Sequence, residues 1–170
     1  MKANSFYSRK LHSLLGVIPL GFFLISHMLA NYAAFSGGKE GFLEHVELIN
    51  GLPLVLFIEI FFIWLPLLYH GVYGLYIAYQ SRNNVTNYSY FRNQMFALQR
   101  FTGVATFIFI VWHFYDTRFQ VALGNITHEQ LAEQIHGIVS NPIFLTLYII
   151  GIVAAVFHFT NGMWSFLVSW

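Results

Sequence analysis

The chain has 170 residues, 57% of them hydrophobic and only 9% charged, with a net charge of +1. Soluble domains carry about 25% charge, so this chain cannot cover a water-exposed surface, and lipid is its natural solvent. The near-neutral balance offers nothing to nucleic acid, and the lack of cysteine excludes disulfides, thiolate metal sites, iron–sulfur clusters and covalently attached haem.

Four apolar runs are long enough to cross a bilayer as helices of about 20 residues. The expectation is an all-α transmembrane bundle forming one domain over residues 1–170. The first span, Leu11–Phe35, follows Lys2, Arg9 and Lys10. It is too long for a signal peptide and three more spans follow, so it reads as an uncleaved helix. The second, Pro53–Gln80, opens on a proline suited to a first helical turn, as does the fourth, Pro142–Val168. The third is Leu98–Tyr115. Pro19 and Pro66 fall inside spans, where lipid-embedded helices accept kinks.

Basic residues orient the bundle. Lys2, Arg9, Lys10, Arg82, Arg92 and Arg100 fall on one side, and only Lys39 and Arg118 on the other. Glu40, Glu44, Glu47, Asp116, Glu129 and Glu133 all lie on the poorly basic side. Both ends of the four-span unit are therefore expected in the cytoplasm. The segments 36–52 and 116–141 read as outward-facing loops. No repeat is evident.

Each span carries one histidine: His27, His70, His113 and His158. An ionisable group inside a span is expensive and points to function. At 1.5 Å per residue, His27 and His113 lie ~22–24 Å from the inner edge, and His70 and His158 ~15 Å. The four thus fall into two levels of two. Paired imidazoles at one depth on different helices suit bis-histidine haem ligation. A flat porphyrin also needs small neighbours. Gly74 and Gly162 stand four residues after His70 and His158. Gly151 shares the His158 face, Gly16 lies near the His27 face, and Thr102 and Thr106 line span three. Zinc or copper transport is the competing use of paired histidines, but the spans offer a single acid, Glu59.

At this point the chain resembles the di-haem cytochrome b membrane subunits of bacterial succinate:menaquinone oxidoreductases. The resemblance is carried by Phe6-Tyr7, Arg9-Lys10-Leu11-His12-Ser13-Leu14-Leu15-Gly16-Val17-Ile18-Pro19, Leu65-Pro66, and His70-Gly71-Val72-Tyr73-Gly74. It continues through Phe91-Arg92-Asn93, Leu98-Gln99-Arg100, Trp112-His113, Phe157-His158-Phe159, Asn161-Gly162 and Trp164-Ser165-Phe166. It covers nearly the whole chain. It implies two b haems, an inner one on His70 and His158 and an outer one on His27 and His113. The family usually has a fifth helix, and this sequence ends at Trp170 after four. Either the sequence is part of a longer chain or that helix is dispensable.

The resemblance also implies partners: a flavoprotein and an iron–sulfur protein on the cytoplasmic side, with menaquinone near the outer face of a bacterial cytoplasmic membrane. Succinate oxidation belongs to the flavin, not to this chain. Glu59, eleven residues before His70, lies on nearly the same α-helical face, near the outer level. It is a candidate for proton delivery to the quinone, or else a group touching headgroup water. Asn31 and Asp116 could line the same pocket. Arg9, His12, Ser13, Arg100 and Ser165 are candidate contacts for haem propionates, which take charge-assisted hydrogen bonds. The four-histidine logic also fits fumarate reductase, hydrogenase and formate dehydrogenase subunits. A haem-free anchor is disfavoured by the four histidines.

Overall fold

The computed structural model describes residues 3–170, with side chains from Ser5 onward; Lys2 lies outside the described residues. The elements are α1 (Ala3–Val17), α2 (Pro19–Asn50), α3 (Val55–Ile58), a π-helical turn (Glu59–Trp64), α4 (Leu65–Gln80), α5 (Phe91–Asp116), α6 (Arg118–Ala122), a 3-10 turn (His128–Gln130), α7 (Leu131–Val139) and α8 (Pro142–Ser169). Four stretches among them are long and apolar enough to cross a membrane. The fold is an all-α transmembrane bundle, as the composition and the four long apolar runs imply.

The spans pack as a ring, with α1 against α4 and α8, and α5 against α8 and α4. Successive spans run antiparallel. Lys10 reaches the Ser169 carbonyl and Trp170 Nε1 donates to Ser13 Oγ at 3.1 Å, which ties the start of α1 to the end of α8. The Arg92 guanidinium lies 3.0 Å from the centre of the Trp164 ring, which ties the start of α5 to the same end. This is the basic end of the bundle. The surface is inverted relative to a soluble protein: Phe22 is 73% exposed and Phe101 72%, while Thr102 and Thr117 are buried. Apolar side chains that face lipid cost nothing there, and helix association relies on close packing and internal hydrogen bonds.

Spans two and four follow their sequence expectations within two residues. Asn141 caps α8 by accepting from the backbone N–H groups of Ile143 and Phe144, with Pro142 behind it. Pro53 is a correction: α4's stretch begins at Val55, preceded by Leu54 with φ 58°, so the proline lies in the turn and not in the helix. Span three starts seven residues early, at Phe91. There the Asn93 amide donates to the Tyr88 carbonyl (2.6 Å) and Asn84 Oδ1 (2.9 Å), fastening the loop onto the helix.

The first span differs most. It is helical as far as Asn50, so 36–50 is not a loop. Residues 5–37 alone span about 50 Å at 1.5 Å per residue, against a hydrocarbon core of about 30 Å. The chain then breaks at Gly38 (φ 63°, ψ −149°), a conformation open to glycine alone. A Cβ at Gly41 would lie 2.7 Å from the Ala33 carbonyl, so the reversal needs glycine there too. The expected loop 116–141 likewise holds α6, the 3-10 turn and α7. Lys39 pairs with Glu133 at 2.6 Å, joining the outer part of α2 to α7, and holds the Glu133 carboxyl below its ordinary range.

The π-helical turn has a local cause. Pro66 has no N–H, and its ring clashes with the carbonyl four residues earlier. The wider turn clears that carbonyl, and the Leu65 N–H bonds the Ile60 carbonyl five residues back.

Candidate functional site

Two histidine pairs sit inside the ring of helices. At the basic end, His70 of α4 and His158 of α8 have ring centres 6.1 Å apart at 80°. At the other level, His27 of α2 and His113 of α5 are 5.8 Å apart at 67°. Each pair comes from two different helices. Among the described residues no group of three or more His, Cys, Asp or Glu is placed to hold a metal ion. Two protein ligands suit a metal that brings its other ligands with it, as the iron of a porphyrin does.

The basic-end pair is tethered to backbone. His70 Nδ1 lies 2.9 Å from the His12 carbonyl, and His158 Nδ1 lies 3.1 Å from the Gln99 carbonyl. A ring nitrogen that bonds a carbonyl carries the proton, which leaves the Nε2 lone pair for a metal. Both imidazoles lie against backbone bared by glycine. A Cβ at Gly16 would come within 2.6 Å of His70 Nδ1, and one at Gly103 within 2.8 Å of His158 Cε1. Gly16 thus serves His70, correcting its sequence assignment to His27. On span three the small residue beneath the histidine is Gly103. Thr102 instead turns its hydroxyl back to the Leu98 carbonyl at 2.7 Å.

The second pair has an aromatic setting. Phe23 stacks on His27 and Phe109 on His113. Tyr148, only 6% exposed, brings its hydroxyl to 3.3 Å from His113 Nδ1. Gly151 makes room for the Phe109 ring rather than for a ligand.

The basic-end polar residues gather in part. His12 stacks on His70 with ring centres 4.1 Å apart and planes 10° from parallel. Ser13 donates to the Lys10 carbonyl. Arg100 reaches Asn83 Oδ1. Ser165 is half-buried on α8, and Arg9 is exposed. His12 Nε2, Arg100 Nε and Thr106 Oγ1 are buried without a protein partner. Unpaired polar atoms on His12, which stacks on His70, and on Arg100 of α5 suit a group that brings its own polar oxygens. The residues present therefore suit a haem with carboxylate arms.

Glu59 departs from its expected place. The π turn inserts one residue between it and His70, which rotates the face by roughly 100°. Its carboxylate instead receives Arg118, with Nη2–Oε2 at 3.0 Å and Nη2–Oε1 at 3.3 Å. Arg118 carried no role in the sequence beyond its charge. Asn31 is also redirected: its amide donates to the His27 carbonyl of its own helix at 2.8 Å and it is exposed. Asp116 is half-buried near the end of α5, where its carbonyl accepts from the Gln134 amide.

Sequence reasoning missed Gln99 and Asn161. The Gln99 amide donates to the His158 carbonyl at 3.0 Å, and the Asn161 amide donates to Gln99 Oε1 at 2.7 Å. Tyr148 was missed as well.

The family model described as Succinate dehydrogenase/Fumarate reductase transmembrane subunit matches residues 80–170. The succinate dehydrogenase cytochrome b558 subunit of Bacillus subtilis (strain 168) is 47% identical over 168 residues, which is 98% of this chain and 81% of that protein. No solved structure matches the chain. With four membrane-crossing stretches enclosing paired histidines, the chain belongs to the succinate dehydrogenase/fumarate reductase transmembrane-subunit family and is a multi-pass cytochrome b membrane anchor.

Proposed function

We propose that this subunit holds two b haems and passes electrons from flavoprotein and iron–sulfur partners at its basic, cytoplasmic end to menaquinone near the opposite face. His70 and His158 are the ligands at the inner level, and His27 and His113 at the outer level. Haem iron, when bound, supplies reversible one-electron chemistry at each level. The chain's own residues do the rest. The His12 and Gln99 carbonyls fix the tautomer of the inner ligands, and Tyr148 orients His113. The single observation that carries this reading is the pair of inner imidazoles with both Nδ1 atoms on backbone carbonyls and both rings on glycine.

Reducing menaquinone also takes up protons. We assign their delivery to Glu59, whose carboxylate is paired with Arg118 at 3.0 Å, with Asp116 as the second candidate. In this direction electrons move outward and protons are drawn from outside, which couples turnover to the membrane potential. The scale is ~2.3 kcal/mol per charge per 100 mV. Metal transport is the weaker reading, because paired ligands without a third donor hold a bare divalent ion poorly.

The test is succinate:menaquinone activity of the assembled complex in liposomes. Glu59→Gln is expected to keep its haem and lose at least tenfold in quinone turnover. Full activity in that variant removes Glu59 from the mechanism. Activity unchanged by an imposed potential removes the coupling.

A further inference from the structure

Two pairs of helices meet in the same way at the basic end. On α1, His12 and Gly16 stand four residues apart; on α5, Gln99 and Gly103 do. On α4, His70 and Gly74 have that spacing; on α8, His158 and Gly162 do. In each pair the imidazole of the second helix rests on the glycine of the first. The reverse contact also exists. A Cβ at Gly74 would lie 3.0 Å from His12 Nε2, and one at Gly162 would lie 3.1 Å from Gln99 Nε2. Each histidine bonds the carbonyl of the residue whose side chain fills the gap after it, His12 for His70 and Gln99 for His158. The α1–α4 and α5–α8 contacts are thus one device used twice, with His12 and Gln99 at equivalent positions.

We infer that Gln99 is the positioning residue of the His158 site: its side chain locks the register of α5 on α8 so that His158 Nδ1 meets the Gln99 carbonyl. The amide is engaged at both ends. Nε2 donates to the His158 carbonyl (3.0 Å), and Oε1 accepts from Asn161 Nδ2 (2.7 Å), which also reaches the Met95 carbonyl (3.3 Å). A slip of α8 by one residue breaks all three bonds, which are part-buried between the two helices. Gln99 Nε2 also stands 3.2 Å from His158 Nδ1. Both groups are donors once Nδ1 bonds the carbonyl, so the clamp acts through the backbone rather than through the ring.

The inference rests on the haem reading above. Its test uses the assembled complex with Gln99→Leu, Gln99→His and Asn161→Ala, read by haem per chain and by a redox titration of the visible bands. The inner component is the one that His70→Ala removes. Gln99→Leu is expected to lose or shift that component alone. Gln99→His, which copies His12, is expected to keep two haems. Asn161→Ala is expected to shift the inner component by less than Gln99→Leu does. Both components unchanged in Gln99→Leu and Asn161→Ala overturn the inference, as does a Gln99→His variant as damaged as Gln99→Leu. If Gln99→Leu does not assemble, an Asn161→Ala variant with both components unchanged, or altered only in the outer one, overturns it as well. A wild-type complex without haem overturns the haem reading itself and is distinguished by that control.

Discussion

The two histidine levels are built differently. At the inner level both imidazoles are pinned by backbone carbonyls at 2.9 and 3.1 Å and seated on glycine. At the outer level one imidazole has a tyrosine hydroxyl at 3.3 Å. Neither ring nitrogen of His27 has a hydrogen bond among the described residues, and the rings are sandwiched by Phe23 and Phe109 instead. Partners of the distal ring nitrogen set ligand basicity and orientation. The contrast teaches that the inner site is specified by polar register and the outer by apolar packing. The two levels should therefore fail by different substitutions.

The largest break is steric. Gly16→Val drives side-chain atoms into the His70 ring and is expected to abolish the inner haem, halving haem per chain while the outer bands persist. Overpacking of this kind also costs about 1–3 kcal/mol, readable as a lower unfolding temperature of the complex. Loss of both haems in equal measure would erase the distinction between the levels. The reciprocal variant, His113→Ala, is expected to remove the outer haem alone and to slow quinone reduction while inner reduction by succinate persists.

A gentler change sharpens the comparison. Tyr148→Phe keeps the ring packed between Phe109 and Trp112 and removes only the hydroxyl. The expected result is two haems, a shifted potential for the outer component alone, and about 1 kcal/mol of lost stability. Arg118→Ala comes next. It frees the Glu59 carboxylate and detaches α6 from the π turn, and is expected to slow quinone turnover with both haem spectra intact. The smallest effect belongs to Lys39 and Glu133, an ion pair exposed on both sides. Because Lys39 lowers the Glu133 pKa, the pair's contribution is present above the unfolded carboxyl range and fades as pH falls through the folded value. Water and salt screen such pairs, so Glu133→Gln is expected to leave thermal stability at neutral pH unchanged within error.

Sequence reasoning reached the spans because lipid demands long uninterrupted apolar runs, and it grouped the histidines because helical rise converts residue counts to depth. It stopped at features set by close approach. Gly38 and Lys39 read as loop, yet the chain regains helix at once because φ at Gly38 lets it turn back on itself. Glu59 looked aligned with His70 because a continuous α-helix was assumed, and Pro66 displaced that register through the π turn. Gln99 looked like an ordinary polar residue at a membrane edge. Its signal was present as a repeated four-residue spacing to glycine, shared by His12, His70, Gln99 and His158. Only the helix contacts reveal which members of that spacing meet.

The central claim is that four histidines on four helices hold two haems at two levels. A reduced-minus-oxidised visible spectrum of the purified complex, with haem quantified per copy of this chain, tests it most directly. The account predicts two b haems in the wild type, one in His70→Ala and a spectrally different one in His27→Ala. A single haem in the wild type, or the same residual spectrum in both variants, would contradict it.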